Sequence, residues 1–380
     1  MTMAADKQDK VLNVPTLRFP EFDGEWHHTT IGDCCSPLEY GMNAPAKEYD
    51  GANKYIRITD IDEDTCTYKC DDVVSPNAQL EDKYRVRKND ILFARTGAST
   101  GKAYLYNEED GLMYYAGFLI RGNVKPAYNA KFVFLQTQTQ KYKKWVDIMS
   151  IRSGQPGINS QEYSGFKFHL PPSKVEQDKI STLFTLLDER ITTQIRIIDK
   201  LQSLMKGLAE HLTEFTPNIK IADCLNCHSS VLQENQVKSE GKYKVYGANG
   251  ICGYSDKPAI LEDAILIVKD GSGVGNVSYA SGEYSVIGTS NYLTAKSGYS
   301  LKYLYYSLMV FNFIPYKTGM AIPHIYFKDY RKALIYCPSL DKQVQIASLL
   351  SKIECKIEAD KAIADFYQQQ KRFLLQSMFI

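Results

Sequence analysis

The sequence predicts an α+β protein: two similar mixed α/β domains joined by two long helices forming an antiparallel coiled coil, with a pseudo-twofold internal repeat. Three observations predict it. A strict apolar heptad runs from Ser173 to Glu214, the same pattern returns at the end of the chain, and the stretch before each run has a matching texture of short strands and glycine turns. The expected segments are 1–170 for the first mixed α/β domain with its N-terminal tail, 171–214 for the first long helix, 215–337 for the second mixed α/β domain and 338–380 for the second long helix.

In the first heptad run Ile180, Leu187, Leu201 and Leu208 fill one seam position, and Phe184, Ile191, Ile198, Met205 and Leu212 fill the other. Pro172 precedes Ser173 and Glu176 follows three residues on, so a capping box can start the helix here. About forty residues at 1.5 Å each make a rod of roughly 60 Å, too long for one wall of an ordinary core, so it needs a partner. The second run supplies one. Pro338 and Ser339 open it, and Ile346, Ile353, Tyr367 and Leu374 with Leu350, Ile357, Ala364 and Met378 repeat the seam, with Gln343 where the first copy has Gln177. Lys371 interrupts the apolar pattern, and Lys342 replaces the capping Glu176. The central seam layer is polar in both copies, Gln194 and Asp360. In an antiparallel pair the two would meet and fix the register at some cost in stability, or both would point partly to solvent.

Composition narrows the function. A length of 380 residues accommodates two or three domains, and 27 tyrosines suit strands and polar interfaces. The net charge is only +1, so any DNA contact rests on local patches rather than on overall charge. Nine cysteines are scattered, and Cys224-x-x-Cys227 with His228 has no second pair to complete four zinc ligands, so no metal is expected and free thiols in a reducing cytoplasm fit better. Neither an export signal nor a membrane-length apolar run is present in the sequence.

In chain order, residues Met1 to Asn13 read as a loose tail and Leu17 to Trp26 as an aromatic-rich lead-in to a folded unit. Short strands are expected at Tyr55–Ile58, Asp60–Asp62, Asp90–Ala94 and Gly117–Ile120, then an amphipathic helix across Ala130–Met149. After the first rod the texture repeats. Ile221–Cys224 echoes Ile31–Cys34, Tyr243–Tyr246 echoes Tyr55–Ile58, and Asp263–Val268 with Gly271 and Gly275 echoes Asp90–Phe93 with Gly97 and Gly101. A helix at Leu301–Phe313 leads to Thr318-Gly319 as the first domain's helix leads to Ser153-Gly154.

Two glycine loops deserve a functional reading. Gly97 to Lys102 is not a nucleotide-hydrolysing phosphate loop, because three residues rather than four separate its glycines and Ala103 stands where a magnesium-binding hydroxyl belongs. Gly271 to Gly275 misses the dinucleotide spacing, with Asn276 in place of the third glycine. Both loops follow a strand and end in a side chain able to bond a base or a phosphate. Arg95, Thr96, Ser99 and Lys102 can do so in the first copy, and Lys269, Asp270, Ser272 and Asn276 in the second; the alternative for each is a solvated hairpin turn. A second candidate surface is Arg152 to Asn159, matched with Lys317 to His324. There Gln155 and Asn159 can bond adenine, and Arg152 or Lys317 can hold a phosphate. Lys141, Lys143 and Lys144 beside Trp145 form a basic helical run that can be either a DNA contact or a wet face. No catalytic constellation is readable: the six histidines are dispersed, and there is no nucleophile elbow, zinc-protease helix, cofactor loop or Asn-Pro-Pro-aromatic sequence of an adenine methyltransferase.

Leu17–Trp26, Tyr40-Gly41 before Tyr55–Ile61, Asp90–Gly97, Gly101-Lys102, and Leu170-Pro171-Pro172 leading to Glu176, Gln177 and Ile180 together resemble the specificity subunits of type I restriction-modification systems, over nearly the whole chain. The second half departs from the pattern, with Val268-Lys269-Asp270-Gly271 for Phe93-Ala94-Arg95-Thr96-Gly97. The resemblance implies a non-catalytic DNA-binding subunit that reads a bipartite, asymmetric double-stranded target, one half per domain, with the rods setting the gap. It also implies docking of two methyltransferase (modification) subunits, later joined by restriction subunits. This chain would then carry no cofactor, since S-adenosylmethionine, ATP and magnesium would belong to those partners; a cytoplasmic location away from membranes follows. The competing classes are a coiled-coil adaptor whose two globules bind protein, and a nuclease or methyltransferase in its own right.

Overall fold

The computed structural model describes residues 13–63, 65–152, 154–271, 273–320 and 322–380. The expected loose tail therefore falls almost wholly outside the described residues. Compactness divides the chain into one unit of residues up to Thr192 together with Asp365–Ile380, and a second of Thr193–Ala364. Both boundaries lie inside a long helix, so each helix contributes to both units.

The first unit is built on a four-stranded antiparallel sheet. Its strands are β1 (Glu39–Tyr40), β2 (Asp90–Ala94), β3 (Ala103–Leu105) and β4 (Leu119–Asn123), in the order β1-β4-β2-β3. β2 is buried along its whole length, which its run of Ile91, Leu92, Phe93 and Ala94 requires. Next come α1 (Ala130–Gln136), α2 (Gln140–Met149), the short α3 (Ser160–Ser164) and the rod α4 (Lys174–Thr213). The second unit repeats the sheet with β5 (Leu225–Ser229), β6 (Ala264–Val268), β7 (Val277–Ala280) and β8 (Ser290–Ala295), in the order β5-β8-β6-β7 and again antiparallel. It continues with α5 (Leu301–Met309), α6 (Phe327–Tyr330) and the second rod α7 (Leu340–Ser377).

Smaller pieces repeat as well. Strand His27–Thr30 pairs with Lys167–Leu170 in the first unit, and Ile219–Lys220 with Leu334–Ile335 in the second; in each the first strand runs into a one-turn helix, Ile31–Cys34 or Ile221–Cys224. A parallel pair, Lys54–Ile56 with Met113–Tyr115, recurs as Lys244–Tyr246 with Tyr284–Val286. The register therefore puts Val245, rather than Tyr243, where the first copy has Tyr55. Residues Ile58–Asp60 form a turn of 3-10 helix instead of continuing a strand, because the Asp60 carboxylate folds back onto Arg57.

The expected helix across Ala130–Met149 is two helices. Thr137 and Thr139 break it: their hydroxyls donate to the Phe134 and Gln136 carbonyls at 2.7 and 2.8 Å, and the Thr139 oxygen accepts from the Tyr142 amide at 3.2 Å as the cap of α2.

The rods pack with opposed directions within each unit. In the first, the rings of Phe184 and Phe379 lie 5.8 Å apart, Asp188 pairs with Lys371 at 2.8 Å, and the Arg190 guanidinium reaches the Tyr367 hydroxyl at 3.5 Å, so rising numbers on α4 meet falling numbers on α7. In the second, Met205, Leu208 and Ala209 share a core with Ile346, Ala347 and Leu350. The heptad seam is followed closely: Ile180, Phe184, Leu187 and Ile191 are buried, and Ile198, Leu201, Met205, Leu208 and Leu212 are partly buried. Lys371, the break in the second heptad, is held by Asp188, which also takes Lys131 at 2.7 Å. Burial opposes the Asp188 charge, but Lys131 and Lys371 outweigh it and hold the carboxyl below its ordinary pKa. Glu176 does not close a capping box. Its carboxylate takes the Arg18 guanidinium at 2.7 and 2.8 Å and the Trp26 indole N–H at 3.3 Å, tying the lead-in to the rod.

Gln194 is half-buried, and Asp360 is 1% exposed. Asp360 Oδ1 accepts from Lys356 Nζ at 2.6 Å, while Asp360 Oδ2 and Gln194 Nε2 are buried without a partner among the described residues. Each orphaned atom costs about 1–3 kcal/mol. The double variant Gln194→Leu, Asp360→Leu is expected to unfold at higher temperature and denaturant than the parent, measured by circular dichroism; a lower midpoint would contradict this.

Candidate nucleic-acid interface

The first candidate loop leaves the sheet at Ala94 and returns at Ala103. Its backbone closes on itself: Gly101 N–H donates to Ala94 O at 3.0 Å, Ala94 N–H to Lys102 O at 2.8 Å and Lys102 N–H to Ser99 O at 3.0 Å. The second unit makes the same three bonds, Gly275 to Val268 at 2.9 Å, Val268 to Asn276 at 3.0 Å and Asn276 to Gly273 at 2.9 Å. Lys102 and Asn276 are thus structural equivalents. The turn requires left-handed backbone at Gly97 and Gly101 (φ 71° and 91°) and at Gly271 and Gly275 (95° and 91°), which explains the repeated glycines.

The two stretches that the sequence offers as separate surfaces are adjacent segments of one surface in each unit. Gly97 N–H donates to Pro156 O at 3.0 Å, Ile158 N–H to Arg95 O at 2.9 Å, and Thr96 bridges to Gly157. In the second unit Gly271 N–H donates to Pro323 O at 3.0 Å, Ile325 N–H to Lys269 O at 2.9 Å, and Asp270 bridges to His324. This pairing corrects the alignment of the second stretch. His324 stands where the first unit has Gly157, and Tyr326, next to α6, stands where Asn159 caps α3. The second loop has two more residues between its glycine and its proline, closed by mutual Thr318 and His324 backbone bonds of 2.9 and 2.8 Å.

The polar side chains divide into committed and uncommitted. Lys102 Nζ pairs with Glu63 at 3.3 Å. Arg152 donates to both Glu162 oxygens at 2.7 Å and to the Met149 and Ile151 carbonyls. Asn159 accepts from the Glu162 amide at 2.9 Å, so Arg152 and Asn159 together hold the start of α3. Gln155 is exposed, as are Asn276 and Lys317; Thr96, Ser99, Lys269, Asp270 and His324 are half-buried, and His324 Nδ1 lies 3.2 Å from Ile322 O. Ser272 lies outside the described residues. In the basic run, Lys141, Lys143 and Lys144 are exposed while Trp145 packs on Tyr142, Tyr163 and Phe166.

Two aromatic residues were not read as part of this surface. Arg95 lies over the Tyr40 ring at 4.8 Å, and the Tyr40 hydroxyl accepts from the Ser160 amide at 3.2 Å. Burial raises the Tyr40 pKa, but the Ser160 contacts and the Arg95 charge outweigh it and hold the phenol below its ordinary value. Tyr326 is exposed, its ring tilted against that of His324 with centroids 5.1 Å apart. In sequence Tyr40 is far from either loop, and only strand pairing brings it there.

Elsewhere, burial pushes the Cys224 and Cys227 thiols up to about 12 and about 11, and His228 bonds Thr294 and stacks on Tyr292.

The sequence model for the type I restriction modification DNA specificity domain matches residues 24–203 and 219–365. The chain belongs to this family. Each matched stretch contains one loop pair, so the family's repeated domain and the repeated surface coincide. The specificity subunit of the type I restriction enzyme EcoprrI from Escherichia coli is 24% identical over 112 residues, which are 30% of this chain and only 28% of that relative. Among solved structures, a type I restriction-modification S subunit from M. genitalium superposes with a TM-score of 0.67 at 16% identity, over 97% of this chain and 99% of that one. A second, from work on complex assembly and conformational transition of the type I R-M system, gives 0.52 at 15% identity, over 93% and 96%. At these identities the likeness is one of fold.

Within the loop pair of the first unit, Gly101 is the tightest backbone position. A Cβ there would sit 2.5 and 2.9 Å from the Val146 methyls, on a backbone that side chains rarely adopt. Gly101→Ala is expected to lower stability by about 1–3 kcal/mol in chemical denaturation of the purified chain. An unchanged midpoint would show that the loop tolerates a different path.

Proposed function

We propose that this chain is the non-catalytic DNA specificity subunit of a type I restriction-modification complex. Each recognition domain reads one half of a bipartite, asymmetric double-stranded target through its loop pair, and the two rods set the gap between the halves. Methyltransferase subunits dock on the helical region and the globules, and restriction subunits join them. The observation that carries this reading is the repetition of one backbone framework, the glycine loop beside its proline-bearing partner strand, with a different side-chain set in each copy: Arg95, Thr96 and Lys102 against Lys269, Asp270 and Asn276. A framework kept while its donors and acceptors change is what reading two different sequences requires.

With a net charge of +1, the chain offers few phosphate contacts of its own, and the assembled complex supplies the rest. S-adenosylmethionine, ATP and magnesium are assigned to the partners, and the work is done on DNA in the cytoplasm. Among the described residues no helix is long and apolar enough to cross a membrane.

Long-read methylation mapping of the host with and without this chain tests the reading. A bipartite motif with unlike halves should vanish on deletion, Gln155→Ala and Asn276→Ala should each relax one half, and Lys102→Ala should lower methylation without changing the motif. A methylome indifferent to the chain would favour the adaptor alternative.

A further inference from the structure

Arg95 differs from the other cations around the first loop pair. Lys102 is paired with Glu63 and Arg152 with Glu162, and among the described residues the Arg95 side chain has neither an ion pair nor a hydrogen bond. Its Nε is buried without a partner, so the guanidinium is held by its stack on Tyr40 and by packing rather than by bonds. Tyr40 is itself fixed, its hydroxyl bonded to the first amide of α3. The backbone of Arg95 is pinned on both sides, its N–H to Phe118 O at 3.0 Å and its carbonyl to Ile158 N–H at 2.9 Å. A planar five-donor group, oriented in advance and uncommitted, accepts a bidentate partner without breaking an existing pair and with little further loss of freedom.

The geometry points to a guanine reader: Arg95, oriented by Tyr40 as a positioning residue, donates to O6 and N7 of one guanine in the half-target of the first domain. This rests on the DNA-reading function proposed above and names the base. Guanine presents two acceptors on its major-groove edge at the spacing of the guanidinium fork; a phosphate also accepts the fork, and a base preference at one position separates the two. The second domain is not built this way. Lys269 occupies the position of Arg95, since its carbonyl accepts from Ile325 as that of Arg95 accepts from Ile158. Ser229 pairs with Asn291 as Tyr40 pairs with Ile120, which puts Ser229 in the place of Tyr40. Neither the fork nor the ring is present, so the two halves differ at this position by construction.

The test uses the full chain expressed with its methyltransferase partners. Arg95→Lys keeps the charge and removes the fork. Methylome mapping should show the preference for guanine falling about tenfold or more at a single position of one half, with the other half and the gap unchanged. Tyr40→Leu should relax the same position, and Tyr40→Phe, which keeps the ring, should retain the wild-type motif. An unaltered motif in Arg95→Lys, or an even loss of methylation at all sites, overturns the guanine assignment in favour of a phosphate or structural role. A second measurement does not depend on any variant folding: duplexes with 7-deazaguanine at each guanine of the target, titrated with the wild-type complex. One position should weaken binding about tenfold, and no effect at any guanine of either half overturns the proposal. A methylome with no motif dependent on this chain would instead remove the function itself, so the two failures are distinct.

Discussion

One buried glutamine at the head of each rod fixes everything downstream of it. Gln177 and Gln343 are each 2% exposed. Gln177 accepts from the Asn129 amide at 3.0 Å and donates to Pro171 O at 3.3 Å; Gln343 accepts from the Ser300 amide at 2.9 Å and donates to Pro338 O at 2.8 Å. A donor and an acceptor are used at once, which neither Glu nor Leu could reproduce, and leaving the groups unpaired would cost about 1–3 kcal/mol each. Asn129 and Ser300 cap α1 and α5, so the same contact seats the first helix of each recognition domain on its own rod. Eleven residues further along each rod, about three turns, Lys131 meets Asp188 and Lys302 meets Glu354 at 2.7 and 2.9 Å, a second matching tie. Loop geometry has functional value only if the globule cannot swivel on its support, and these paired contacts supply that restraint.

The rods and the repeat were legible because they rest on local periodicity. A seven-residue apolar spacing, a Pro-Ser start and a glutamine at matching places can be counted along the chain. The glycine loops were legible for a similar reason, since left-handed backbone leaves a residue-type mark. What was not legible is long-range. Residues 95–97 and 156–158 lie far apart in sequence, and nothing in either stretch declares that they share backbone bonds. The match of His324 to Asn159 failed because a two-residue insertion is invisible until strand pairing fixes the register. The break between α1 and α2 turned on two threonine hydroxyls competing for backbone partners, a balance that apolar periodicity does not report.

The candidate residues also sort by energetic commitment, which sequence alone cannot show. Arg152 and Asn159 have the right chemistry for DNA, yet both serve the start of α3. Arg95, of the same residue type as Arg152, is left uncommitted on an aromatic face. The two domains share a backbone frame and differ in the side chains it carries.

If rigid rods carry two seated readers, their length should be read out in DNA. Inserting one heptad into both α4 and α7, in the partly buried middle of each seam, keeps the apolar phase while lengthening the support. Methylation mapping of the strain should then return the same two half-sequences separated by a wider gap. An unchanged gap, or altered half-sequences, would contradict the account.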